Sequence, residues 1–200
     1  MFAVRIHGRG GQGVVTAAEL LSIAAFLEGR HAQAFPTFGS ERTGAPVTSF
    51  CRIDTEPIRL REPITAPDAV IVQDPTLLRQ VDVFAGLHSD GYALVNSTHS
   101  VDELDLTELS ARLGGARLMS IDAALVARQH LGRPLPNAAL LGAFAALSGV
   151  VGIEAVEAAI RRRFDAGTAA GNAAAARAAH DLVLSRRQDS DDREGELRHA

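Results

Sequence analysis

Lysine is absent from this 200-residue chain, and all twenty basic side chains are arginine. A Walker-type phosphate loop needs a lysine on the β- and γ-phosphates, so nucleoside triphosphate hydrolysis by that route is excluded. A pyridoxal Schiff base is excluded for the same reason. The arginines suit phosphate recognition, although a coding bias toward Arg and Ala accounts for them more simply. There is one cysteine, Cys51. It rules out a disulfide framework and an iron–sulfur cluster held by this chain alone, since clusters take about four thiolates. Its setting reads as a buried strand position. The net charge of -4 leaves no electrostatic footprint for nucleic acid. Long apolar runs are also lacking. Ala138 to Ile153 carries no charge until Glu154 but falls about two residues short of a spanning helix, and Gly142, Ser148, Gly149 and Gly152 dilute it. It reads as a buried helix that this domain or a neighbouring subunit must cover. The seven histidines show neither H-x-x-x-H nor H-x-H spacing, so no metal site is expected. The chain reads directly into a strand, so no signal peptide and a cytoplasmic location are expected.

What is present is glycine in one revealing place. Phe2, Val4 and Ile6 alternate as in a strand, and Gly8-Arg9-Gly10-Gly11-Gln12-Gly13 follows and opens an apolar-periodic helix from Val14 to Leu27. Gly8, Gly10 and Gly13 fit the G-x-G-x-x-G spacing, in the strand–turn–helix context that a phosphate-binding turn requires. Glycine there permits the tight turn, close approach of a pyrophosphate and close packing of helix on sheet. The helix N-terminus adds free N–H groups and a positive dipole end, and Arg9 adds a guanidinium. The plainer alternative is a tight turn without a ligand. An NAD site expects an acid about 20 residues on, closing the second strand. His31-Ala32-Gln33-Ala34-Phe35 ends in none, which disfavours NAD.

The rest of the chain alternates strands and helices. Pro36 to Pro46 is a long loop of turn formers, of the kind that binds something or merely connects. Val47–Ile53 reads as a strand, with Ile58-Arg59-Leu60 as a hairpin partner. Ala69–Val72, Tyr92–Val95 and Arg117–Ile121 read as strands, the first two as continuous apolar runs buried on both faces. Polar residues at their ends, Asn96, Ser97 and Asp122, are ligand groups on the carboxyl edge of an open sheet or simply caps. Asn137 is a candidate helix cap, and helices follow to about Leu184. The expected fold is α/β. It has a mostly parallel open sheet with flanking helices, Rossmann- or flavodoxin-like, and a helical C-terminal part. One domain spans 1–185, and the charged residues 186–200 read as a disordered tail.

Gly8–Gly13, the loop Phe35–Pro46, Asp74-Pro75-Thr76-Leu77 and Asn137-Ala138-Ala139-Leu140-Leu141-Gly142 occur in this order. Together they resemble the gamma subunit of pyruvate:ferredoxin oxidoreductase and related 2-oxoacid:acceptor oxidoreductases, over residues 1 to about 184. The resemblance implies oxidative decarboxylation of a 2-oxoacid on thiamine diphosphate. Electrons pass through iron–sulfur clusters to ferredoxin, and coenzyme A takes the acyl group. Thiamine diphosphate and clusters are implied on alpha and beta partner subunits, with a ferredoxin-like delta subunit as a further candidate. The isolated chain is then inactive. The resemblance further implies a coenzyme A site drawn from Gly8, Arg9, Gly10, Gly11, Gln12 and Gly13, with Phe38, Gly39, Ser40, Glu41 and Arg42 facing the thiamine-bearing partner. No residue is expected to be catalytic by itself. Thr43 departs from the arginine or glycine often found there. Pyruvate is the leading substrate, with indolepyruvate and 2-oxoglutarate as alternatives. A free-standing dinucleotide-binding module and a nucleotide sensor are the competing readings.

Overall fold

The computed structural model describes residues 1–37 and 44–199, with side chains as far as residue 189. Six strands form one sheet: β1 (Phe2–Arg9), β2 (His31–Pro36), β3 (Pro46–Asp54), β4 (Ala69–Val72), β5 (Tyr92–Asn96) and β6 (Leu118–Ile121). Their order is β2-β3-β1-β4-β5-β6. β1, β4, β5 and β6 pair in parallel, as the apolar runs predict. The other half of the sheet is less expected. The helix after β1, α1 (Val14–Leu27), leads to a β2 that docks at the sheet edge, and β3 returns antiparallel between β2 and β1. Burial explains the choice. β3 has buried side chains on both faces, including Val47, Ser49, Phe50, Cys51, Arg52 and Ile53, whereas no residue of β2 is fully buried. An edge position suits the less apolar strand.

With both edges of β3 occupied, Ile58-Arg59-Leu60 cannot pair with it, and the expected hairpin does not form. Pro57 and Pro63, which lack an N–H donor, flank this segment. It runs on to Ile64, which packs against Ala3 and Phe50 on the sheet face away from α1.

The alternation of side chains along each strand builds two cores. Val4, Ile6, Ala69, Ile71 and Leu94 face a helical layer of α1, α3 (Ala123–Leu131), α4 (Asn137–Ser148), α5 (Ile153–Arg163) and α6 (Ala166–His199). Val70, Val72, Ala93 and Val95 face a thinner cover with Leu77 and Val83 and with Leu106 and Leu113, which flank α2 (Thr107–Arg112). α4 is buried from Asn137 to Leu147, wrapped by α1, α3, α5 and α6, so this chain supplies its own cover for the apolar run. The alanines let the helices approach closely. At Gly142 an added Cβ would land on the backbone carbonyl of Ala176 in α6. Among the described residues no helix is long and apolar enough to cross a membrane.

The expected disordered tail is not seen at 186, since α6 continues as a helix to His199. Arg186 donates to the carbonyl of Ser120, and Arg187 donates to those of Ala146 and Leu147 at the end of α4. Once a helix is nucleated, each further residue adds a backbone hydrogen bond, so a polar stretch without proline can extend it without a core of its own.

Candidate functional site

The glycine turn stands at the carboxyl end of β1. It lies where the chain departs to one side through α1 and β4 begins the other half of the sheet, the place where open α/β sheets bind ligands. Gly11 (φ 93°) and Gly13 (φ 74°) hold left-handed backbone conformations that favour glycine. Gly8 is required for another reason. A Cβ there would come within 2.6 Å of Val14 Cγ2 and 3.2 Å of Gln73 Cβ, so its absence lets α1 start against the sheet. Gly13 is the N-cap of α1, and no side chain caps the helix and no acid occupies its first turn. The first-turn amides therefore have no side-chain acceptor among the described residues.

Two of the sequence-predicted side chains turn inward. Gln12 Oε1 accepts the backbone N–H of Arg9 at 2.8 Å, and its Nε2 donates to Asp74 Oδ2 at 2.7 Å. The Arg9 guanidinium pairs with Asp74 Oδ2 at 3.2 Å and donates to Thr76 Oγ1 at 2.7 Å, Gln80 Oε1 at 3.1 Å and the Gly44 carbonyl at 3.1 Å. Burial works against the Asp74 charge. The Thr76 hydroxyl, the Gln12 amide, the Thr76 N–H and Arg9 outweigh it and hold the carboxyl below its usual range. Arg9 is thus neutralised locally by Asp74, which leaves backbone amides and the positive end of the α1 dipole as the uncompensated groups at the turn. Gly10 joins the far end of the long loop, its N–H donating to Ala45 O at 2.9 Å and its carbonyl accepting from Gly44 N–H at 3.2 Å. Phe38, Gly39, Ser40, Glu41 and Arg42, the other predicted site residues, lie outside the described residues, as does Thr43.

The structure adds Asn137, a candidate helix cap by its position in the sequence. The N-cap of α4 is Pro136, without a side-chain capping bond, and Asn137 is the first helical residue. Its Oδ1 accepts the N–H of Ala138 at 2.9 Å, which fixes the amide so that Nδ2 points away toward the glycine turn. A Cβ on Gly13 would lie 2.7 Å from that Nδ2. Asn137 is 7% exposed. The starts of α1 and α4, neither with an acid in its first turn, therefore meet at one spot. A lone amide opening an otherwise apolar helix was the available signal. Gln73, at the end of β4 beside Gly8, is buried with both amide atoms unpaired among the described residues.

Other polar candidates prove architectural. Asp122 caps α3 by accepting from Leu125 N–H, Asn96 ties Gln73 O to Ala124 N–H, and Ser97 accepts from His99 N–H. His7 lies 3.3 Å from the Thr48 hydroxyl, and burial, with Arg5 nearby, lowers its pKa to about 4. The end of β2 is also not where an NAD ribose would be held, because β2 is not beside β1. The parallel neighbour of β1 does end in an acid, Asp74, but Gln12, Thr76 and Arg9 take its oxygens.

Comparison with known proteins agrees with this architecture. Residues 3–182 match the family described as Pyruvate ferredoxin/flavodoxin oxidoreductase. The pyruvate/ketoisovalerate oxidoreductases common subunit gamma of Pyrococcus abyssi is 50% identical over 181 residues, covering 90% of this chain and 96% of that one. Pyruvate synthase subunit PorC of Methanosarcina barkeri is 52% identical over 161 residues, covering 80% of this chain and 85% of the relative. The crystal structure of pyruvate oxidoreductase subunit PORC from Thermotoga maritima superposes with a TM-score of 0.74 at 35% identity, over 90% of this chain and 95% of that one. With the glycine turn, the sheet and the helical layer all inside the matched span, the chain belongs to the pyruvate ferredoxin/flavodoxin oxidoreductase family, among its gamma-type subunits.

Proposed function

We propose that this chain is the gamma subunit of a 2-oxoacid:ferredoxin oxidoreductase acting on pyruvate, and that it holds part of coenzyme A at the glycine turn. The observation that carries the site is the meeting of two uncapped helix starts, α1 at Gly13 and α4 at Asn137, with the Asn137 Nδ2 donor directed at the turn. A pyrophosphate supplies the acceptor oxygens that such a place lacks. In this reading Gly8, Gly10, Gly11 and Gly13 line the cradle, Arg9 and Gln12 brace it, and Phe38–Arg42 are assigned to the same site by their motif position. Thiamine diphosphate and iron–sulfur clusters reside on alpha and beta partners, which carry out decarboxylation and electron transfer to ferredoxin. The one cysteine, buried Cys51, supports that division of labour. The isolated chain has no turnover of its own, and the assembled enzyme works in the cytoplasm.

Asn137→Asp tests the site with almost no change in shape. It removes the Nδ2 donor and puts a carboxylate where the anion belongs. In the enzyme assembled with its partners, the variant raises the KM for coenzyme A by roughly ten- to a hundredfold, the worth of one charge-assisted hydrogen bond. Thiamine-dependent decarboxylation without coenzyme A is unchanged. A normally assembled variant with the parent KM refutes the site.

A further inference from the structure

The two oxygens of Asp74 do different work. Oδ1 accepts the Thr76 N–H at 3.0 Å and the Thr76 hydroxyl at 2.5 Å, which caps the short 3-10 turn Pro75–Arg79. A neutral Asn serves that purpose as well as Asp. Oδ2 instead crosses to the glycine turn, to Gln12 Nε2 at 2.7 Å and Arg9 Nε at 3.2 Å. Arg9 continues to the Gly44 carbonyl, and Gly10 is bonded to Gly44 and Ala45. The carboxylate is largely shielded, with 13% of its side chain exposed. A charge is kept in a place where capping does not need one.

We propose that Asp74 is a positioning residue for the acyl-acceptor site: through Oδ2 it holds Gln12 and Arg9, and with them the glycine turn and Gly44–Ala45, in one fixed relation. The inference rests on the reading of the turn as the coenzyme A cradle. It assigns Arg9 and Gln12 to bracing rather than to the ligand, and it makes Asp74, just beyond the end of β4, the origin of the cradle's shape. With Asp74 neutral, Gln12 Nε2 faces another donor, Arg9 loses its counter-charge, and the turn is free to depart from the geometry that lines up its amides.

The test uses the enzyme assembled with its partner subunits and three variants, Asp74→Asn, Gln12→Glu/Asp74→Asn and Gln12→Leu. Asp74→Asn keeps the cap and breaks the crossing bonds. The expected result is a KM for coenzyme A raised about tenfold. The kcat at saturating coenzyme A and the decarboxylation without it stay at parent values. The double variant re-forms the crossing bond with donor and acceptor exchanged and returns a carboxylate to Arg9, so the KM falls back toward the parent value. A structural lesion in the 3-10 turn is not repaired by that exchange. Gln12→Leu leaves Asp74 and its cap intact and carries the same expected rise, which keeps the proposal testable if Asp74→Asn does not assemble. A parent KM in Asp74→Asn or Gln12→Leu, or a double variant no better than Asp74→Asn, overturns the positioning role. Asn137→Asp separates the two levels. If it raises the KM while Asp74→Asn and Gln12→Leu do not, only the positioning role falls. If none of the variants does, the coenzyme A site falls with it.

Discussion

Gly13→Ala, measured against Gly11→Ala, asks whether the starts of α1 and α4 touch. Both glycines hold left-handed backbone, so an alanine costs about 1–2 kcal/mol at either position. A Cβ at Gly11 meets nothing within 4 Å, and that cost is the whole effect. At Gly13 the Cβ comes to 2.7 Å from Asn137 Nδ2 and 3.4 Å from its Cγ. Asn137 has little room to retreat, being buried with its Oδ1 holding the Ala138 N–H. Displacing it costs about 1 kcal/mol for that hydrogen bond and about 1–3 kcal/mol if the surroundings must shift. Gly13→Ala is therefore expected to destabilise by roughly 3–6 kcal/mol and Gly11→Ala by only about 1–2 kcal/mol. Urea denaturation of the chain at an unchanged m-value measures both. The cycle with Asn137→Ala isolates the contact, because in that background Gly13→Ala should cost no more than Gly11→Ala. Equal costs for the two alanines in the parent chain, or a coupling near zero, refute the proximity of Gly13 and Asn137.

Other expectations follow from burial and packing. Gly142→Ala drives a methyl into the Ala176 carbonyl and should cost roughly 3 kcal/mol in the same denaturation assay; a neutral result means that α4 and α6 are not in backbone contact. His7 titrates at about 4 in the fold against an ordinary value of 6.5, so folding favours its neutral form. That contribution is complete above pH 6.5 and is lost as the pH falls toward 4, by roughly 3 kcal/mol. His7→Gln should flatten the stability profile in that window, and an unchanged profile refutes the assignment. Cys51 is fully buried and its thiol is pushed up to about 12, so a maleimide or disulfide reagent should leave it untouched in the native chain at pH 8 and label it fully in urea. Rapid native labelling refutes that burial.

Features governed by local chemistry were legible in the order of residues alone. The glycine turn was legible because left-handed backbone and close helix–strand approach restrict the residue type at Gly8, Gly11 and Gly13. The doubly buried strands β4 and β5 were legible because only continuous apolar runs fill both faces. The uncharged run around α4 announced a central helix, and Cys51 sat in a strand as its neighbours suggested. Tertiary structure decided what depends on groups distant in sequence. The insertion of β3 between β2 and β1 is a matter of which strand edges find partners, and strand propensity is silent about that. The same holds for Arg9, which looked like a free cation for phosphate until β4 brought Asp74 and Thr76 beside it. It holds also for Asn137, a nominal cap that the packing of α4 turns toward Gly13. The sequence determines what each residue can do within its own turn, strand or helix; which unpaired donors and acceptors then meet is set by long-range packing, because a hydrogen bond is specific to distance and direction and these exist only in the fold.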